Sequence, residues 1–192
     1  MEFKSYSSLE NHHNGKFISK IREQALDSGE WVAREKIHGT NFSVIITADS
    51  IIPCKRSGPI MPSESFFDYE IIMKRYAKSF EDIQRSLTIT GYASVQVFGE
   101  FAGTGIQKGV DYGEKDFYVF DILVSDVEKT KYLEDKSVEN IVNRYGLKIA
   151  PLLGRGTFEN LIKLPNDFQI VVNRYNSVTN VDLEQANNHV GN

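Results

Sequence analysis

The chain predicts an α+β fold in which antiparallel sheet dominates the middle. Three observations carry that expectation. Short runs rich in Val, Ile, Phe and Tyr, such as residues 42–47 and 51–55, are separated only by tight turns like Asp49-Ser50. One long stretch, residues 65–87, repeats its apolar positions every three or four residues instead. Two further strand-like runs, 93–101 and 117–124, are linked through a glycine-rich turn, Ala102-Gly103-Thr104-Gly105.

Taken in order, residues 14–26 read as a helix, because Phe17, Ile18, Ile21, Ala25 and Leu26 share one face and Ser28-Gly29 stops it. Residues 30–34, with Trp31, Val32 and Ala33, form a strand that runs into a turn at Gly39. The run 42–47 follows at once, and 51–55 is a third strand. Residues 58–62, Gly-Pro-Ile-Met-Pro, are expected as a loop, since two prolines and a glycine resist a ladder. In the long helix 65–87, Tyr69, Ile72, Tyr76, Phe80, Ile83 and Leu87 trace the buried face. Shorter helices are expected at 137–145, 157–164 and 166–173, and fraying from residue 178 onward.

A chain of 192 residues, 41% hydrophobic and 25% charged, fits one soluble domain. No apolar run approaches the roughly 20 residues of a membrane span. The start of the chain lacks the apolar stretch of a signal peptide. Cys54 is the single cysteine, so no internal disulfide or cysteine metal cluster forms, and a reducing cytoplasm is expected. A net charge of −4 argues against coating nucleic acid by bulk positive charge; contact with a polyanion must use local basic residues.

Four clusters carry candidate chemistry. Lys36 lies between a strand and the Gly39 turn, in Lys-x-x-Gly. A free lysine has a pKa of about 10.4, so an amine nucleophile needs burial or a cation nearby to lose its proton. His38 is placed to meet a leaving phosphate, and Thr40 and Asn41 a ribose. Lys55-Arg56-Ser57-Gly58 puts a guanidinium fork straight after a strand, a geometry suited to phosphate. In Phe98-Gly99-Glu100-Phe101, alternation sets Glu100 and Phe98 on one face, while Gly99 permits close backbone approach. In residues 116–121, Tyr118 and Phe120 share a face, and one aromatic of such a strand can stack on a purine. Phe66-Phe67 at a helix start cannot both face the core, which leaves one for a partner. Each cluster alone also fits a plainer role: a solvated lysine, an exposed basic pair, a glutamate on an edge strand, core aromatics.

Together, EKIHGTN, CKRSGPI with FFDYE behind it, VFGEFAGTGIQKGVDYG, DFYVFDI and later APLLGRG resemble the RNA ligase 2 family. These are phage-type ATP-dependent ligases that seal nicks in duplex RNA, relatives of DNA ligases and capping enzymes in the covalent nucleotidyltransferase superfamily. The likeness runs from about residue 6 to about 165 and implies the antiparallel nucleotidyltransferase fold. It implies Lys36 as the nucleophile that becomes lysyl-AMP, with Glu35, Ile37, Asn41, Arg56, Glu100 and Phe120 around the nucleotide. Phe120 would stack on adenine, and Glu100 would contact ribose and assist a metal. His38 would meet the phosphates, and Thr40, Arg56, Phe66 and Phe67 would meet RNA. ATP, Mg2+ and RNA bearing a 3′-hydroxyl and a 5′-phosphate are the implied cofactors and partner, in a phage-infected or bacterial cytoplasm with no membrane.

One departure stands out. The family's later Glu-Gly-x-Val and Lys-x-Lys strands and its helical C-terminal domain have no counterpart before Asn192. Lys129-Thr130-Lys131 falls too early and reads as a solvated hairpin. The expectation is therefore an N-terminal part of an adenylyltransferase domain, with little sealing activity alone. A second polypeptide that completes the site, another superfamily enzyme, and a non-catalytic nucleotide- or RNA-binding module remain alternatives.

Overall fold

A computed structural model describes residues 2–9, 14–108 and 112–164. Helix α1 (Gly15–Glu23) precedes strands β1 (Trp31–Arg34), β2 (Thr40–Thr47), β3 (Ile51–Lys55) and β4 (Gly58–Pro59). Helices α2 (Glu70–Arg75) and α3 (Ala77–Thr90) lead into β5 (Ser94–Ala102), β6 (Asp116–Ser125) and β7 (Thr130–Tyr132). Helix α4 (Asp135–Arg144), β8 (Lys148–Ile149), β9 (Leu152–Gly156) and α5 (Phe158–Leu161) follow.

The main sheet has the order β4-β3-β2-β5-β6-β7, every neighbour antiparallel, with β8 added parallel to β6. Strands β1 and β9 form a separate antiparallel pair. The α+β, antiparallel expectation holds. Its core lies between the sheet and α2, α3 and α4, where Phe42, Val44, Val97, Phe101, Phe117 and Val119 meet Ile72, Phe80, Ile83, Val138 and Val142. Phe42 is the centre of an aromatic group, with Phe66, Tyr69, Phe101 and Phe117 all within 6.5 Å of it by ring centroid.

Strand β6 carries one extra residue. Phe98 pairs with Asp121 but Gly99 pairs with Val119, so the ladder skips Phe120. Such a bulge changes which face the following residues take. Phe117 and Val119 point to the core before it, and Ile122 and Val124 after it. Phe120 and Asp121 are left together on the opposite face. Gly99 sits where a Cβ would meet the Phe117 ring and lie 2.6 Å from the Tyr118 carbonyl oxygen, so the close approach expected there is present.

Several elements differ from the sequence expectation. The helix expected over 65–87 is two helices and starts later. Phe67 (φ 50°) and Asp68 (φ 57°) take left-handed backbone, which a helix cannot continue through. Lys115 holds that turn, donating to the Phe67 carbonyl at 3.1 Å and pairing with Asp68 at 2.7 Å. The first helix ends at Glu23, before the expected Ser28-Gly29 stop, and Ala25 follows at φ 52°. Residues 58–59, expected in a loop, pair with β3, since proline is tolerated on an edge strand. The Lys129-Thr130-Lys131 hairpin is confirmed, with Thr130 to Tyr132 exposed on β7. Strands β8 and β9 were not foreseen: they are short and hold Pro151, Gly154 and Gly156 around them. The expected helix over 166–173 and the tail from 178 lie outside the described residues. None of the described helices is long and apolar enough to cross a membrane.

Candidate active site

Between β1 and β2 the chain makes a short irregular loop. Glu35 and Ile37 are buried and Lys36 between them is exposed, so the loop offers the lysine outward while its neighbours anchor it. The Glu35 N–H donates to the Pro151 carbonyl at 2.9 Å. The next two residues are held more tightly. The His38 N–H donates to the Tyr112 hydroxyl at 2.9 Å, and the Gly39 N–H donates to Glu100 Oε1 at 3.1 Å. Gln107 Nε2 donates to the Gly39 carbonyl at 3.0 Å. A side chain at Gly39 would run into the Phe101 backbone, with the Ala102 Cβ only 2.9 Å away, so glycine is required for contact rather than for backbone angle.

Lys36 lines a cavity of about 780 Å³ at the seam between the β1–β9 pair and the main sheet. Glu100 of β5 and Phe120 of β6 come from the face opposite the core. Arg56 arrives from the β3–β4 turn, Thr40 and Asn41 from the start of β2, and Arg34 and Asp135 from the far wall. The N-terminal segment, residues 6–9, closes one side. Tyr6 sets its ring edge-on to Phe120 at 4.8 Å and beside Phe98 at 5.2 Å, and its hydroxyl donates to Asp121 Oδ2 at 3.0 Å. Lys4 meets the Gln96 amide through both its N–H and its carbonyl, and Arg56 donates to Ser8 Oγ at 2.8 Å.

Burial of carboxylates dominates the electrostatics. Glu100 is pushed up to about 7 by burial, against the Gly39 N–H and the charges of Lys36 and Arg56, which pull it down. Asp121 is pushed up to about 6 by burial, with Tyr6 and the Ile122 N–H opposing. Asp135 also feels burial most, yet the Arg34 and Arg155 guanidinium groups outweigh it and hold the carboxyl below its usual range. Arg34 grips Asp135 with Nε at 2.6 Å and Nη2 at 2.9 Å, and Arg155 reaches both Asp135 and Glu139. Among the described residues no group of three or more His, Cys, Asp or Glu fits a metal ion. Of the three carboxylates on the lining, Glu35, Glu100 and Asp135, the last is taken up by Arg34 and Arg155, and a single carboxylate such as Glu100 suits a hard cation of the kind that keeps its waters and takes substrate phosphates for most of its shell.

Of the residues singled out in the sequence, Glu35, Lys36, Ile37, Thr40, Asn41, Arg56, Glu100 and Phe120 are brought together on this cavity. His38, Phe66 and Phe67 are not on its lining. Phe66 packs on Phe42 while Phe67 is 39% exposed, which matches the expectation that one of the pair is left outside the core. Glu100 lies on a central strand, not an edge. Sequence reasoning missed Tyr6, Arg34, Gln107, Tyr112 and Asp135. Gln107 and Tyr112 sit inside a motif quoted above, but nothing in the letters says which backbone groups they grip.

Comparison with known proteins gives the family and the fold. A family model described as RNA ligase matches residues 29–186. The mitochondrial RNA-editing ligase 2 of Trypanosoma brucei brucei is 34% identical over 86 residues, 42% of this chain and 20% of that protein. The mitochondrial RNA-editing ligase 1 of the same organism is 36% identical over 63 residues, 31% of this chain and 13% of that one. Solved variants of a Naegleria gruberi RNA ligase, one with ATP and Mn and another with AMP and Mn, superpose with a TM-score of 0.60 at 21% identity. The first covers 82% of this chain and 46% of its own, a likeness that shows the fold. The chain thus spans less than half the length of those structures and a fifth or less of the curated relatives.

Proposed function

The chain belongs to the RNA ligase family, and from that premise we propose that it performs the nucleotidyl transfer of an ATP-dependent RNA ligase on Lys36. One observation carries the proposal: Lys36, Arg56, Glu100 and Phe120, from four separate segments, line a single cavity large enough for a nucleotide. In the first step the neutral Lys36 amine attacks the α-phosphorus of ATP. A nitrogen–phosphorus bond forms, the bond to the bridging oxygen breaks, pyrophosphate leaves with the electron pair, and the amine proton passes to solvent. A 5′-phosphate oxygen of RNA then attacks the same phosphorus and displaces Lys36. Attack of the neighbouring 3′-hydroxyl on the RNA 5′-phosphate finally releases AMP and seals a nick in duplex RNA.

The residues divide this work by chemistry. Phe120 offers a ring face to the purine, and Glu35, Ile37 and Asn41 bound the nucleoside. Arg56 supplies two parallel donors to phosphate oxygens, in transfer chemistry where positioning and charge matter most. His38 meets the departing pyrophosphate, and Thr40, Phe66 and Phe67 face the RNA end. Glu100 would be the protein contact of a divalent cation, magnesium or the manganese found with the solved neighbours, which would supply positive charge against the phosphates. The cavity supports the roles of Glu35, Ile37, Thr40, Asn41, Arg56, Glu100 and Phe120, whereas those of His38, Phe66 and Phe67 rest on the family likeness alone.

The test is incubation with ATP labelled at the α-phosphate, with magnesium. Denaturation-resistant label on the Lys36 peptide, absent from Lys36→Ala, is the expected result. Nucleotide that binds equally to both forms and never becomes covalent would replace the ligase reading with that of a binding module.

A further inference from the structure

The exposed Lys36 side chain feels the Glu100 charge across the cavity, and the point from which it projects is set by the backbone that carries it. That backbone is gripped just downstream. The His38 N–H and the Gly39 carbonyl are held by two residues of one connection, between β5 and β6: Tyr112 through its hydroxyl and Gln107 through its amide. Glu100 takes the remaining Gly39 N–H. The connection itself is seated by the Thr104 N–H and hydroxyl on the Gly113 carbonyl, both at 2.8 Å. Gly103, at φ 137°, lies against the Lys115 backbone, where a Cβ would be 2.5 Å from its Cα.

We propose that Tyr112 is a positioning residue for the nucleophile, its buried hydroxyl fixing the His38 peptide so that Lys36 projects into the cavity. Tyr112 is 1% exposed and the bond is made to backbone, so the hydroxyl has little freedom to take another place. Burial is also the main reason its phenol stays protonated, with the nearby Glu35 and Glu100 charges adding to it, which keeps the oxygen a neutral acceptor. Removing that oxygen takes the acceptor from a half-buried backbone donor, a loss that the loop relieves by moving toward another acceptor or toward water. Moving the His38 peptide swings Lys36, two residues upstream, away from in-line attack, and such misplacement lowers rate more than affinity. The effect is distinct from that of a residue that touches the nucleotide.

This rests on Lys36 being the nucleophile, and the experiment separates the two claims. Tyr112→Phe is compared with Tyr76→Phe, which deletes another buried tyrosine's hydroxyl, bonded to Asp116 and off the cavity. Amide exchange at His38 in Tyr112→Phe is expected to quicken about tenfold, the equivalent of one backbone hydrogen bond. The adenylation rate at saturating ATP should fall by a similar factor while the half-saturating ATP concentration stays within about twofold. Tyr76→Phe should lower thermal stability and leave both readings alone. Unchanged His38 exchange, or a rate loss shared equally by Tyr76→Phe, overturns the proposal. If the unsubstituted chain forms no adenylate, the reading that it carries out the transfer by itself fails. The positioning claim is then decided by pyridoxal 5′-phosphate labelling of Lys36 after reduction: a labelling rate altered only in Tyr112→Phe supports it, and an unaltered rate overturns it.

Discussion

On one face of β5 and β6, Val97, Phe101, Phe117, Val119, Ile122 and Val124 pack against the helices. On the other, Gln96, Phe98, Glu100, Phe120 and Asp121 meet the N-terminal segment and the cavity. Much of both faces is buried, but they are held on different terms. The helix side shares its contacts among many apolar neighbours, so no single one decides the fold. The cavity side uses polar groups with one or two named partners each, where losing a partner leaves a buried charge or donor exposed to the full cost. The same strands therefore separate stability from chemistry by face.

The largest expected effects test that separation directly. Phe42→Ala removes the ring on which four other aromatics converge and should cost about 3–5 kcal/mol of unfolding free energy in a denaturant titration. Lys36→Ala, at an exposed position, should stay within about 0.5 kcal/mol of the unsubstituted chain while losing all covalent adenylate. If Lys36→Ala unfolds as readily as Phe42→Ala, stability and chemistry are not divided between the faces.

Glu100 sharpens the comparison through pH. Its carboxyl ionises at about 7 in the fold against an ordinary value of 4.5, so between those values the folded chain holds a proton that the unfolded chain has released. Stability must then fall as pH rises through that window. Glu100→Gln keeps an acceptor for the Gly39 N–H and has no proton to lose. It should be more stable than the unsubstituted chain by about 2–3 kcal/mol at pH 8, with the difference vanishing near pH 4. A constant difference across pH would mean that burial is not what raises Glu100. Asp135 behaves with the opposite sign: held below its usual range by Arg34 and Arg155, it stabilises above that range and stops doing so as pH falls through its folded value. Asp135→Asn should cost about 2 kcal/mol at pH 7, and its acid unfolding should converge with that of the parent chain.

These two carboxylates also mark what the sequence could and could not reveal. Glu100 was legible because strand alternation puts it across from Val97 and Phe101, and alternation is local. The face of Phe120 was legible for the same reason, but the bulge that adds Asp121 beside it was not, since it depends on pairing with Phe98 and Gly99. Asp135 meets Arg34 over a separation of 101 residues, and no periodicity signals a pair that distant. Tyr6 lay in a segment without pattern, and its role exists only because Phe98, Phe120 and Asp121 are gathered beneath it. The helix over 65–87 failed for a long-range reason as well: its apolar spacing was right, as buried Ile72, Tyr76, Phe80, Ile83 and Leu87 show, but the backbone at Phe67 and Asp68 is held by Lys115, which is distant in sequence.

That turn yields the smallest effect and a pointed one. Phe67 is bulky, 39% exposed and at φ 50°, a conformation that costs a non-glycine residue about 1 kcal/mol and that asparagine tolerates better. Against that, its ring meets Phe66 edge-on at 5.1 Å, a contact worth about 0.5–1 kcal/mol. The two contributions nearly cancel, so Phe67→Asn should change unfolding free energy by less than about 0.5 kcal/mol. A residue that strains the backbone and leaves part of its ring exposed is a candidate for contact outside the fold, and an RNA end is what we propose. Affinity for a nicked RNA duplex should therefore drop in Phe67→Asn while the Lys36 adenylate forms at the parent rate. A clear loss of stability with RNA affinity intact would return Phe67 to the apolar side of the comparison.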